Sequence, residues 1–194
     1  MNALSAARGD DAALKLLVRA YHDRVYRFGV RVCRDRFDAE DAVQEAFSKL
    51  SRRPEVVRDP SALSWLMSVV RHACVRMLRP FLRERRVLGE RASGVDELDQ
   101  LAERDGLVSA PIDPEQALER WQLVRAVHAA IALLDRPSRE VLVMRDLEGL
   151  SGRETCLALG LELATMKTRL HRARSALRQE LTRTLGAGER REPN

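Results

Sequence analysis

Residues 148–178 read EGLSGRETCLALGLELATMKTRLHRARSALR, and the fold turns on how this stretch is interpreted. Ser151 and Glu154 have the spacing of a capping box, in which two side chains satisfy each other's backbone N–H groups at the start of a helix. That short helix stops at Gly160, a residue suited to a left-handed helix end. A last helix then runs from about Leu163 to Leu185. Met166, Leu170, Ala173 and Leu177 follow one another at i, i+4, i+7 and i+11, which makes a single apolar stripe facing a core. Lys167, Thr168, His171 and Arg172 stand opposite that stripe, with Arg169, Arg174 and Arg178 flanking them. A short helix, a tight turn and a longer basic helix form the arrangement in which the second helix enters the DNA major groove. Its Lys and Arg can then donate to guanine edges while other arginines hold phosphates. A solvated amphipathic helix would also be basic, but the capping box and the turn favour the DNA reader.

Upstream the chain is helical as well. Leu14, Leu17, Val18, Tyr21, Val25, Phe28 and Val32 mark a first helix across residues 11–33. Asp38 is expected to cap a second helix whose apolar side is Ala42, Val43, Ala46, Phe47 and Leu50 and which ends before Pro54. Asp59–Pro60 reads as the cap and first position of a third helix, lined by Leu63, Leu66, Met67, Val70, Cys74, Met77 and Leu78, which Pro80 kinks or ends. Pro114 and Pro137 start two further core helices.

Composition agrees with an all-α protein: 4% aromatic and 32% charged residues suit small amphipathic helices better than a sheet-rich sandwich. The net charge of +5 favours a polyanionic partner. Between Val87 and Gln116, however, Glu90, Asp96, Glu97, Asp99, Glu103, Asp105, Asp113 and Glu115 face only Arg91 and Arg104, so the basic excess lies in the flanks. Expected boundaries are therefore a first domain at 11–86, an acidic linker at 87–113, a second domain at 114–185 and a tail at 186–194. Cys33, Cys74 and Cys156 have no CxxC spacing, so no metal is expected, and each reads most simply as a buried thiol. No cofactor is called for. Neither an h-region nor a spanning stretch is seen, so a cytoplasmic protein without membrane insertion is expected.

Three segments together resemble one family. EGLSGRETCLALGLELATMKTRLHRARSALR resembles region 4.2 of the sigma-70 family, extracytoplasmic-function (ECF) group. DAEDAVQEAFSKL (38–50) resembles region 2.2, and SWLMSVVRHACVRML (64–78) resembles regions 2.3 and 2.4. The resemblance covers about residues 14–86 and 115–184, in family order. It implies a non-catalytic subunit that gives core RNA polymerase its promoter specificity, docking on the β′ clamp helices and the β flap, with promoter DNA and an anti-sigma factor as partners.

The resemblance also assigns residues. Asp38, Asp41, Gln44, Glu45 and Phe47 fall on polymerase-facing positions. Ser64, Trp65, His72, Arg76 and Arg79 fall on the helix that reads and melts the −10 element, with the loop at about 52–61 supplying a base pocket. Lys167, Thr168, Arg169, His171, Arg172 and Arg174 fall on the −35 reader. His72 and Arg76 depart from the family's usual Asn and Asp or Asn, so the −10 preference is not carried over. Two other readings remain: a sigma-like decoy that only sequesters an anti-sigma factor, and a polymerase-independent helix-turn-helix regulator. The basic face argues against the first, and DAEDAVQEAF is unexplained by the second.

Overall fold

The computed structural model describes the backbone of residues 3–33, 35–57, 59–88 and 114–188, and the side chains of residues 11–33, 35–57, 59–77 and 119–185. All regular elements among the described residues are helical: α1 (Ala3–Cys33), α2 (Arg36–Leu50), α3 (Pro54–Val57), α4 (Ala62–Leu88), α5 (Pro114–Leu133), α6 (Arg136–Leu142), a π-helical turn (Val143–Leu147), α7 (Gly152–Leu159) and α8 (Leu163–Gly188).

Helices α1, α2 and α4 pack pairwise into one unit. Phe28, Val32, Ala42, Leu50, Leu66, Met67 and Val70 meet in its core, nearly all fully buried, at roughly 1.5–3 kcal/mol for each large side chain. The helices approach closely at Gly29, where an added Cβ would stand 3.4 Å from Ala39 Cβ and 3.5 Å from Val70 Cγ1.

Several local readings need correction. The cap of α2 is Asp35, whose carboxylate accepts from the Asp38 N–H at 2.9 Å. Asp38 lies in the first turn instead. Asp59 does not start α4 at Pro60. Its carboxylate accepts from both the N–H and the hydroxyl of Ser61, each at 2.7 Å, which closes a turn that delays the helix to Ala62. Part of the expected loop before it is the short helix α3. Helix α4 continues past Pro80 to Leu88, since one missing N–H does not end a helix whose neighbouring bonds remain. Cys33 and Cys74 are not separate thiols but a disulfide joining α1 to α4, with Cα atoms 4.9 Å apart and 41 residues between them. Periodicity shows that each faces a core and cannot show that they face each other. Most of the expected linker lies outside the described residues.

The second unit begins with α5 and places α6 and α5 against α8. Pro137 opens α6 behind Asp135, as its spacing predicts. The π turn ends with the Glu148 N–H on the Val143 carbonyl and the Leu150 N–H on the Met144 carbonyl, each at 2.9 Å. Gly149 makes the reversal at φ +67°.

The two units share a seam. Arg71 on α4 donates to Glu140 on α6 at 2.7 Å, and Arg136 reaches the other oxygen of the same carboxylate at 2.8 Å. Glu148, with only 2% of its side chain exposed, pairs with Arg24 at 3.4 Å and with the equally buried Arg31 at 3.6 Å. Arg139 donates to the carbonyls of Leu134 and Arg31. Burial pushes the Glu148 carboxyl above its ordinary range, and Arg31, Arg27 and Arg24 oppose that shift.

Candidate nucleic-acid interface

The helix-turn-helix forms as its residues dictate. The Ser151 hydroxyl accepts from the Glu154 N–H at 3.2 Å, while the Glu154 carboxylate accepts from the Ser151 N–H at 2.7 Å. These bonds hold the Glu154 carboxyl below its ordinary range. Gly160 closes α7 at φ 62°, ψ 42°. Met166, Leu170 and Ala173 of α8 are buried and Leu177 packs partly beneath them, so the opposite side of α8 faces solvent by geometry alone.

On that side Lys167, Thr168, His171, Arg172 and Arg174 are exposed and Arg169 is half-buried. Their states differ. Among the described residues no ion pair engages Lys167 or Arg172. The Thr168 hydroxyl donates to the Ala164 carbonyl of its own helix at 3.0 Å, which leaves its methyl group as the natural outward contact. Arg174 forms a bidentate pair with Asp146 of the π turn, at 2.7 and 2.8 Å, a geometry that fixes a guanidinium plane. Arg169 and Arg172 border a shallow groove against Leu133, Leu134 and Pro137. Asp146 was not identified from sequence: it lies 28 residues from Arg174, and no motif announces the pair.

The residues expected to read single-stranded DNA are divided by the fold. Ser64 is buried and its hydroxyl donates to the Ser61 carbonyl at 2.9 Å. It supports the helix start and presents nothing to DNA. Trp65 is half-buried, with the Arg53 guanidinium 5.7 Å from its ring centroid. That places a cation over an aromatic face at the 52–61 loop. His72 is exposed and its Nδ1 donates to the Ser68 carbonyl at 2.7 Å. Arg76 is exposed but held by Glu45 of α2 at 2.5 Å. The Arg79 side chain lies outside the described residues.

The expected docking residues separate in the same way. Asp41 and Gln44 are exposed. Gln44 and Phe47 line an apolar groove between α1 and α2 with Val18, His22, Tyr26 and Val43, where His22 stacks on both Tyr26 and Phe47. Glu45 turns to the other side, where Lys49 at 2.6 Å and then Arg76 hold its carboxyl below the ordinary range. Asp38 is raised by partial burial and by the nearby Asp35 and Asp41. His22 and Tyr26, contributed by α1, were not among the expected residues, since only folding brings them beside α2. Among the described residues no cluster could hold a metal ion, and no helix is long and apolar enough to cross a membrane.

A helix-turn-helix with an exposed basic face, joined to a second helical unit, is the architecture of a DNA-binding protein. Comparison with known proteins specifies it further. Sigma-70 region 2 matches residues 17–81 and Sigma-70, region 4 matches residues 124–177. The RNA polymerase sigma-H factor of Pseudomonas aeruginosa is 30% identical, over 90% of this chain and 89% of its own length. The ECF RNA polymerase sigma factor SigL of Mycobacterium tuberculosis is 31% identical, over 92% and 96%. In fold the chain is similar to the sigma factor RpoE of Bartonella quintana, solved with the anti-sigma factor NepR, at a TM-score of 0.61 and 19% identity over 87% of this chain and 96% of that one. It also resembles CnrH, solved with the cytosolic domain of CnrY, at 0.57 and 20% over 95% and 94%. The chain belongs to the sigma-70 family, in its ECF group, and is a sigma factor that directs RNA polymerase to promoters.

Proposed function

We propose that the two units divide the promoter between them: α8 reads the −35 duplex through Lys167, His171 and Arg172, and α4 with the 52–61 loop takes the −10 strand. The observation that carries this reading is the exposed face of α8 itself, held at a set angle by a buried stripe on one side and by the Asp146–Arg174 pair on one margin. Base edges are read by donors in fixed positions and phosphates by charges at the groove margins. Arg174 and Arg169 are the phosphate-holding residues of this scheme.

Core RNA polymerase docks on the outer face of α2 through Asp41, Gln44 and Phe47, along the β′ clamp helices, and region 4 meets the β flap. The chain supplies no catalytic group, since polymerase performs the chemistry, and it works in the cytoplasm where polymerase and DNA are. An anti-sigma factor is a further partner, as for the sigma factor RpoE of similar fold, solved with the anti-sigma factor NepR. The acidic segment 87–113 divides the units, so dilute protease should cut first between about residues 87 and 116. In-vitro transcription with purified core polymerase on a promoter library tests the whole reading. It should return transcripts together with a paired −35 and −10 signature. Absence of core-dependent transcription would leave the decoy or the independent regulator in its place.

A further inference from the structure

The promoter reading makes no use of the pair at the heart of region 2. Cys33 is the last residue of α1, two positions before the Asp35 cap of the docking helix. Cys74 sits in the middle of α4, between His72 and Arg76. Both are buried, at 1% and 0% exposure, and they are bonded to each other. Covalent cross-links of this kind persist in oxidising compartments. In the cytoplasm cellular thiols keep them open, and those that form there are transient or sense redox state. Placing this pair in the cytoplasm rests on the promoter reading above.

We propose that Cys33 and Cys74 are a reversible redox site: a dithiol when the cell is reducing, and a disulfide that ties the docking-helix corner to the −10 helix when hydroperoxide is present. One thiolate sulfur attacks the peroxide, the O–O bond breaks, and a sulfenic acid forms with loss of an alcohol, or of water where the oxidant is hydrogen peroxide. The second thiolate attacks that sulfur, forming the S–S bond and expelling hydroxide, which leaves as water with a proton from the thiols. Two thiols and one hydroperoxide thus become a disulfide, water and the alcohol, with two electrons passing from sulfur to oxygen. A dithiol reductant reverses the bond by exchange.

The fold sets both the ease and the speed of this chemistry. It holds the two side chains as neighbours across a 41-residue separation, so no loop need close when the bond forms. Burial shields both sulfurs, so the first attack waits for α1 and α4 to part locally. In the reduced state the same two side chains pack as small apolar groups, and the helices stay joined by packing alone. Cys156 on α7 is half-buried with a free thiol, and provides an internal control.

The test uses the full chain, reduced with a phosphine and then treated with hydrogen peroxide. After denaturation, thiols are capped with N-ethylmaleimide and mapped by mass spectrometry. The reduced chain should carry three caps. The peroxide-treated chain should show a linked peptide pair containing Cys33 and Cys74 and a single cap at Cys156, and dithiothreitol should return it to three caps. Oxidation should raise the melting temperature by on the order of 10 °C, a shift that C156S keeps and that C33S and C74S lose. Should those two variants fail to fold, the mapping on the natural chain decides alone. Three caps after peroxide treatment, or a linkage that dithiothreitol does not open, would overturn the proposal. Neither readout involves transcription, so the promoter reading can fail while the redox site stands, and the reverse.

Discussion

In region 4 Lys167 and Arg172, proposed to read the duplex, stand exposed on a helix fixed by its neighbours, whereas in region 2 Arg76, proposed to meet the −10 strand, is tied to Glu45 of another helix. Lys167 and Arg172 project from a helix whose far side is buried. Arg76 and His72 are held by Glu45 and by the Ser68 carbonyl, and Ser64 is enclosed entirely. The contrast follows from the two ligands. A duplex presents its edges without being taken apart, so a rigid, ready face suits it. A single strand exists only once the duplex has opened, so side chains that meet it can be engaged elsewhere until then. Glu45 has a particular place in this contrast, because the carboxylate that holds Arg76 also stands on the docking helix.

The contrast can be broken most severely at the seam that carries both units. Glu148→Ala removes the buried carboxylate that Arg24 and Arg31 share at the seam, and should cost about 3 kcal/mol of folding stability in denaturant titration. A loss below about 1 kcal/mol would mean that the seam opens without consequence and that the units behave independently.

A smaller effect is expected on α8 and would sharpen the distinction within region 4. Arg172→Ala should cost on the order of 1 to 3 kcal/mol and relax preference at particular −35 positions. Arg174→Ala should weaken binding to all sequences evenly and lower the salt slope by about one. Binding measured across single-base promoter variants at several salt concentrations separates the two. An identical uniform loss from both variants would abolish the division into base-reading and phosphate-holding residues.

Smaller again is the tie in region 2. Glu45→Gln should release Arg76 and strengthen binding of a single-stranded −10 oligonucleotide to the free chain by roughly two- to fivefold, the range that a solvent-exposed ion pair commands. Arg76→Ala should weaken the same binding and remove any effect of the Glu45 change. If Glu45→Gln leaves the affinity unaltered while Arg76→Ala lowers it, Arg76 reads DNA without restraint from α2.

The smallest expected effect is a pH dependence at the turn. The Glu154 carboxyl is held below the ordinary glutamate value of 4.5 by the Ser151 bonds. Its contribution to stability is therefore complete above that value and is lost as the pH falls through the lower folded-state value. Thermal melts of the natural chain and of Glu154→Gln should differ by a constant amount above pH 4.5 and converge as the pH falls below it. Parallel curves would show that the cap is indifferent to charge.

Much of this was legible before folding, because it is local. The capping box at Ser151, the glycine end at Gly160, the stripe from Met166 to Leu177 and the outward face of Lys167 to Arg172 depend only on spacing along one helix, and the hydrophobic period is enough to orient them. Membership of the family rests likewise on runs of contiguous residues. Spacing does not decide where two aspartates compete for one cap position, as Asp35 and Asp38 do at α2, or where Asp59 closes a turn in place of opening a helix. What only the tertiary structure decided is every pairing between elements: Cys33 with Cys74, Glu45 with Arg76, Asp146 with Arg174, Glu148 with Arg31. Periodicity states which side of a helix turns inward or outward but not what it meets there, since that depends on the packing of helices far apart in the chain. For that reason the exposed basic face of α8 could be read from the sequence, while the contacts that brace or restrain its members appeared only in the fold.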